Sequence, residues 1–378
     1  MEFDLTETQK LFKRSARELL AAECSPVLVR ETTEKGQPHS ENLWRHLAEQ
    51  GWTGLIFDEE IGGMGLGMVE MAVAFEEMGY ALAPGPFLST VPLAGSLIDR
   101  AGSPWQREKY LRGICEGTVK ATVALLEGSA SWEPDSVGLD AAETPDGLSL
   151  SGKKLFVSDA DESDLIIVPA RAGSKPVLTI AERNTPGISI NSMAGIDELR
   201  PLFEVVFENV SIPESQIMAV GDAARQGLAY AIDVATLSLA AEMVGGMQWI
   251  LDASVEYAKT RKQFGKPIGQ FQAVQHHLAN VLLMTESARS AVYYAAWVMG
   301  AEPELAPLAV SIAKTYASDA YREAGNLGIQ VHGGIGFTWD HEIHFYYKRA
   351  KASEIMFGDA IFHRERIARL VVDSSVSR

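Results

Sequence analysis

Two stretches of this sequence carry side chains suited to holding a nucleotide. The first reads Arg261-Lys262-Gln263-Phe264-Gly265-Lys266-Pro267-Ile268-Gly269-Gln270-Phe271-Gln272. A guanidinium at a helix–helix corner offers a fixed charge and a donor fork that matches pyrophosphate. Phe264 can pack beside a nucleotide, and the amide of Gln272 can pair with a ribose or purine edge. The second stretch is Gln330-Val331-His332-Gly333-Gly334. Its paired glycines let main chain approach a phosphate-bearing ligand with no Cβ in the way. Each also has a plainer reading: a corner ion pair for Arg261, and a helix C-cap for Gly333-Gly334. His276-His277 resembles a metal pair, but no carboxylate or third donor lies near it in sequence, so it reads as a solvated helix face and no metal is expected.

The elements that must position these residues follow from hydrophobic period. Up to Gly117 the chain reads as helices. Thr6 and Gln9 have capping-box spacing ahead of Phe12, Ala16, Leu19 and Leu20. Ser40 is an N-cap ahead of Leu43 and Leu47, and Met68–Met78 and Pro104–Ile114 repeat the pattern. Between 118 and 220 the period shortens. Val119–Leu126, Leu148–Val157, Leu165–Val168, Val177–Ile180 and Phe203–Val210 read as strands, with a turn at Thr144-Pro145-Asp146-Gly147. From 221 to 378 long helices return: Gly227–Thr260, one from Pro267, Leu305–Gly328, and a last one that follows Trp339 and continues, whole or broken, to Leu370. The expected architecture is therefore mainly α: an N-terminal helical domain (1–117), a middle β-barrel domain (118–220) and a C-terminal four-helix bundle (221–378).

Composition narrows the partners. A net charge of −17 disfavours nucleic acid and anionic membrane surfaces. The two cysteines, Cys24 and Cys115, are far apart in a chain of 378 residues, which fits a reducing cytoplasm. No apolar leader segment and no membrane span is read from the sequence.

The run from Arg261 to Gln275 resembles the R-x-x-F-G-x-x-I-x-x-F-Q-x-x-Q signature of the acyl-CoA dehydrogenase family. Gln330–Phe337 matches a second signature at that family's spacing, and the resemblance covers the whole chain. It implies an FAD-binding protein in which Arg261, Phe264, Gln272, Gln330, Val331, His332, Gly333 and Gly334 contact the ADP half of FAD held mainly by a neighbouring subunit.

The sequence departs from that family at the catalytic positions. The reaction is α,β-dehydrogenation of an acyl-CoA thioester, in which a glutamate removes the α-proton. Matching Lys348-Arg349-Ala350-Lys351 to the family's R-D-A-K run puts Phe357 at the base position. The alternative position, about 26 residues before the signature Arg, holds Ala235-Thr236. Glu354, three residues before Phe357, could share a helix face with it, whereas Asp359 would point roughly 200° away on a helix. The flavin-cradling loop is altered to Leu125-Leu126-Glu127-Gly128-Ser129-Ala130. In Phe156-Val157-Ser158-Asp159-Ala160-Asp161, only the Ser158 hydroxyl remains as a flavin-facing donor.

This pattern resembles the base-less partner subunit of heterotetrameric (α2β2) steroid side-chain acyl-CoA dehydrogenases. The resemblance implies a catalytic partner subunit, an acyl-CoA substrate and electron-transfer flavoprotein as acceptor. Alternatives left open are a homotetrameric dehydrogenase with a displaced base, a flavin oxidase or monooxygenase on the same fold, and a flavin-free binding subunit.

Overall fold

The computed structural model describes residues 4–36 and 39–373. Helices α1 (Glu7–Glu23), α2 (Pro26–Glu34), α3 (Glu41–Glu49), α4 (Met68–Ala81), α5 (Ser96–Ala101), α6 (Pro104–Gln106) and α7 (Arg112–Cys115) come first. Strands β1 (Ala121–Val123), β2 (Asp140–Thr144), β3 (Gly147–Ser158), β4 (Leu165–Ala172), β5 (Lys175–Glu182), β6 (Ile188–Met193), β7 (Leu202–Pro213) and β8 (Ile217–Val220) follow. Helix α8 (Asp222–Thr260), a small hairpin of β9 (Lys262–Gln263) and β10 (Lys266–Pro267), then α9 (Gln272–Ala301), α10 (Ala306–His332), α11 (Ile343–Ile355) and α12 (Ala360–Ala368) complete the order. The order is the one expected above, with helices at both ends of the chain and a sheet domain between them.

The predicted caps form. The Thr6 hydroxyl accepts from Gln9 N–H while the Gln9 side chain accepts from Thr6 N–H, and Ser40 caps α3 through Leu43 N–H. Each satisfies main-chain donors that a helix start leaves open.

By packing, the chain forms two compact units. One comprises Met1–Glu31, Gly67–Ala83 and Thr236–Arg378; the other comprises Thr32–Leu66 and Pro84–Ala235.

In the first, helical unit, α10 packs on α9, α11 and α12, and α4 packs on α1 and α9. Glycines set how closely the helices cross. A Cβ on Gly245 would sit 1.8 Å from the Glu76 carbonyl, and one on Gly79 would sit 2.0 Å from the Glu242 carbonyl, so α4 and α8 touch backbone to backbone. Gly246 gives the same clearance to the Tyr321 hydroxyl, 2.2 Å from such a Cβ. Three of the buried charges in this unit, Glu76, Glu242 and Arg349, are paired. Glu76 meets Lys13 at 2.7 Å, Arg289 at 3.1 Å and the Tyr293 hydroxyl at 2.7 Å, and Arg349 pairs with Glu242. An unpaired buried charge would cost several kcal/mol, on the order of 3–5 when one partner is removed.

In the second unit, one sheet of eight strands runs in the order β6-β7-β3-β2-β4-β5-β8, with β1 pairing parallel to β4. Leu148, Leu150, Ile166, Val168, Val205, Phe207 and Ile212 fill its core. The register of β3 on β7 shifts between Lys154 and Val157, and Phe156 within that bulge takes φ +54°.

Helix α8 is the one described helix long and apolar enough to cross a membrane, with mean hydropathy 1.4 in an 18-residue window. That window is 89% buried within the fold, which is the position of a core helix.

Candidate functional site

The stretches around Arg261 and Gly333 come together at one end of the helical unit. Arg261 follows the last turn of α8, where its N–H donates to the Tyr257 carbonyl at 2.8 Å. Its own carbonyl accepts from Ile268 N–H at 2.8 Å, closing the β9–β10 hairpin. Phe264 and Gly265 turn that hairpin at φ +52° and +80°. Left-handed backbone suits Gly265 and strains Phe264. Phe264 nevertheless projects from the turn with 92% of its surface exposed, its ring edge-on to Phe271 at 6.1 Å. Gln272 opens α9 and is also exposed.

Residues 330–334 end α10 against the same corner. Gln330, Gly333 and Gly334 are exposed, while Val331 and His332 are buried. The His332 ring lies over Tyr257, with centroids 4.5 Å and planes 26° apart, and lies 4.4 Å from His341. Its Nδ1–H donates to the Gly328 carbonyl at 2.8 Å. Burial holds its pKa down to about 4, so the imidazole is neutral at pH 7. His332 and Val331 therefore shape the turn from beneath, and the outward-facing groups are Gln330, Gly333 and Gly334.

These residues suit an ADP group. A Cβ at Gly265, Gly333 or Gly334 would meet no atom of this chain within 4 Å, so the surface over these glycines is open to a ligand. Arg261 stands exposed at the same corner. A basic fork, a bare aromatic and glycine main chain with open space above it suit pyrophosphate and a purine.

At the family's base position the structure differs from the helical stretch assumed above. Helix α11 ends at Ile355, and α12 begins at Ala360. Between them Phe357 and Gly358 take φ +59° and +101°, forming a tight elbow. The helix-face argument for Glu354 and Asp359 therefore fails, because a rotation per residue has no meaning across a reversal of the chain. Glu354 is held by Arg322, which also reaches Asp319 at 3.0 Å. Asp359 caps α12, accepting from Phe362 N–H at 2.8 Å. Phe357 itself is 3% exposed. At the other position, Ala235 and Thr236 are fully buried in α8.

In the sheet unit, Ser158 is half-buried and its carbonyl accepts from the Thr122 hydroxyl at 2.7 Å. The Glu127 carboxylate accepts from Gly138 and Leu139 N–H and pairs with Lys154 at 2.7 Å. Lys154 is fully buried, and burial lowers its pKa against the pull of Glu127. Leu126 bridges Leu155 in the adjoining strand.

His276 and His277 acquire no third donor; among the described residues the one set of three possible metal ligands is His39, Asp161 and Glu162. His39 Nε2 stands 3.8 Å from Asp161 Oδ1, and Lys120 forms an ion pair with Glu162 at 3.6 Å.

Sequence reasoning missed Tyr257, His341, Arg322 and Lys314. Tyr257 lies four residues before Arg261, one helical turn, which is the available signal. The others are brought into place by packing between helices.

Comparison with known proteins places the chain. The acyl-CoA dehydrogenase N-terminal domain profile matches residues 6–118, and the C-terminal domain profile matches residues 227–372. Acryloyl-CoA reductase (NADH) of Anaerotignum propionicum is 31% identical over 98% of this chain and 96% of its own length. The ChsE4–ChsE5 complex from Mycobacterium tuberculosis contains a chain of 28% identity and TM-score 0.90, covering 99% of both. The Tcur3481–Tcur3483 steroid acyl-CoA dehydrogenase contains one of 29% identity and TM-score 0.88, covering 98% of this chain and 99% of the other. With its fold, its two signature stretches and these matches, the chain belongs to the acyl-CoA dehydrogenase family of FAD-dependent oxidoreductases.

Proposed function

We propose that this chain is the base-less subunit of a heterotetrameric acyl-CoA dehydrogenase, completing the FAD site of a catalytic partner. The observation that carries this reading is the elbow. Phe357, an apolar side chain, is buried at the position where the family places its glutamate, and both neighbouring carboxylates are engaged elsewhere. A base must be a carboxylate free to reach the α-carbon of the thioester. Glu354 is neutralised by Arg322, and Asp359 is turned back onto the helix it caps.

Arg261, Phe264, Gln272, Gln330, Gly333 and Gly334 would hold the ADP half of FAD, with Val331 and His332 supporting the turn. FAD supplies the two-electron acceptor when bound. Arg261 would offset pyrophosphate charge, Phe264 would cover the nucleotide from water, and the glycine turn would donate main-chain N–H groups. The exposed Phe264 supports an assembly, since a bare aromatic on a strained turn gains nothing in an isolated chain.

The named similarities suggest the rest. One solved neighbour is a two-component complex, and another is a two-component steroid dehydrogenase. A steroid side chain or another bulky acyl group is the proposed thioester substrate, with electron-transfer flavoprotein as acceptor and the cytoplasm as location.

The test is dye reduction with acyl-CoA thioesters of several lengths, including a steroid side-chain thioester. The lone chain is expected to show no turnover. Co-expressed with a glutamate-bearing partner, it is expected to form a four-chain complex with two flavins. Flavin-dependent turnover by the lone chain, abolished by Glu354→Gln, would replace this reading with a displaced-base homotetramer.

A further inference from the structure

Lys314 lies in the middle of α10 among Val310, Ala313 and Ala317, and its side chain is fully buried. A lysine is almost never found so deep without partners. Its ammonium group reaches four oxygens: Ser318 Oγ at 3.0 Å, Ser353 O at 3.1 Å, Glu354 O at 3.0 Å and Gly358 O at 2.8 Å. Three of these are main-chain carbonyls on the two sides of the elbow. Ser353 and Glu354 end α11, where a helix leaves its last carbonyls without internal partners. Gly358 lies beyond the reversal.

From α12, His363 Nε2–H donates to the Phe357 carbonyl at 3.1 Å, and Asp359 caps the helix start. Burial, with the positive charge of Lys314, drives the His363 pKa down to about 3, so the imidazole is neutral at pH 7. Gly358 is also required locally, since a Cβ there would lie 2.3 Å from the Phe362 ring.

We infer that Lys314 is the positioning residue of the elbow: one buried ammonium ties the end of α11 to the start of α12 and so fixes where the side chain at position 357 stands. The elbow's shape is then set from α10 and is indifferent to the residue at 357. That explains how Phe357 can occupy a left-handed position that its own side chain does not favour. The functional weight of this role rests on Phe357 standing in place of the base. The geometry of the elbow does not, so the two can fail separately.

Hydrogen exchange read by mass spectrometry on the full-length chain tests the inference without any turnover assay. In Lys314→Ala, peptides spanning 353–363 are expected to exchange roughly tenfold faster or more, while sheet peptides from 147–213 remain as in the wild type. Methylammonium at pH 6.5 should restore protection, because it brings N–H donors to the vacated oxygens. Tetramethylammonium, which has none, should not. Phe357→Leu, which keeps an apolar side chain in the buried position, should leave elbow exchange within about twofold of wild type. Where the alanine chain does not fold, Lys314→Gln keeps two N–H donors on a shorter arm and should show partial protection. Wild-type protection in either Lys314 variant, or loosening by Phe357→Leu equal to that of Lys314→Ala, would overturn the assignment.

Discussion

The imidazole of His332 lies flat on the phenol ring of Tyr257, 4.5 Å between centroids. Tyr257 also accepts the Arg261 N–H, so this one stack sets the end of α8 against the end of α10. Two sequence stretches about seventy residues apart thereby form a single corner.

Arg261→Ala is expected to weaken FAD retention in the assembled protein. A charged hydrogen bond to pyrophosphate is worth about 1.5–3 kcal/mol, or roughly ten- to a hundredfold in affinity. Flavin content after extensive dialysis, compared at equal protein, measures it. Equal content in the mutant and wild type would make Arg261 a structural residue.

Phe357→Glu is expected to give no dehydrogenation in the lone chain. The flavin-cradling loop has also changed, with Leu126 tied to Leu155 and Glu127 to Lys154. Placing a carboxylate in a site with 3% exposure should also lower stability, by about 1–3 kcal/mol for an unsatisfied polar group and more if it stays charged. Urea unfolding and dye reduction on the same preparation separate the two effects. Turnover by this variant would show that the chain's own flavin site is intact.

Stability should fall as the medium is acidified below pH 6.5. His363 and His332 have folded pKa values of about 3 and about 4, both beneath the ordinary histidine value, with burial the leading cause. The unfolded chain then binds more protons than the folded one between pH 6.5 and those values. Their contribution is complete above pH 6.5 and is lost as pH falls through the window. Each adds at most about 1.4 kcal/mol per pH unit. In His363→Gln the urea midpoint should vary less steeply between pH 6.5 and 4.5 than in wild type. Parallel slopes would mean that His363 takes up protons equally in the folded and unfolded chain, so that its pKa is not depressed by folding.

Gly245→Ala is expected to destabilise the helical unit. The new methyl would sit 1.8 Å from the Glu76 carbonyl, so α8 and α4 must separate. Overpacking of this kind costs about 1–3 kcal/mol, despite the better helix propensity of alanine. Gly300→Ala, where a Cβ meets nothing within 4 Å, is the control and should match or exceed wild type in urea.

The sequence by itself determined the order of helices, strands and helices, because the hydrophobic period is local and changes twice along the chain. It also determined the capping box at Thr6 and Gln9, whose residue types and spacing are written in consecutive positions. It did not reveal the buried helical segment from Ser89 to Ile98, since residues buried on every side leave no amphipathic period to read. Strand β6, a short and largely exposed edge strand, was missed for want of a buried face.

Tertiary structure decided the elbow. Gly358 followed by Asp359, a glycine helix stop and then an N-cap, was a local signal for a break between α11 and α12. The engagement of Glu354 by Arg322 and the capture of the elbow by Lys314 bring together residues 32 to 44 positions apart. Such pairings exist only once α10 packs against α11 and α12, because no local periodicity encodes which buried cation meets which carbonyl.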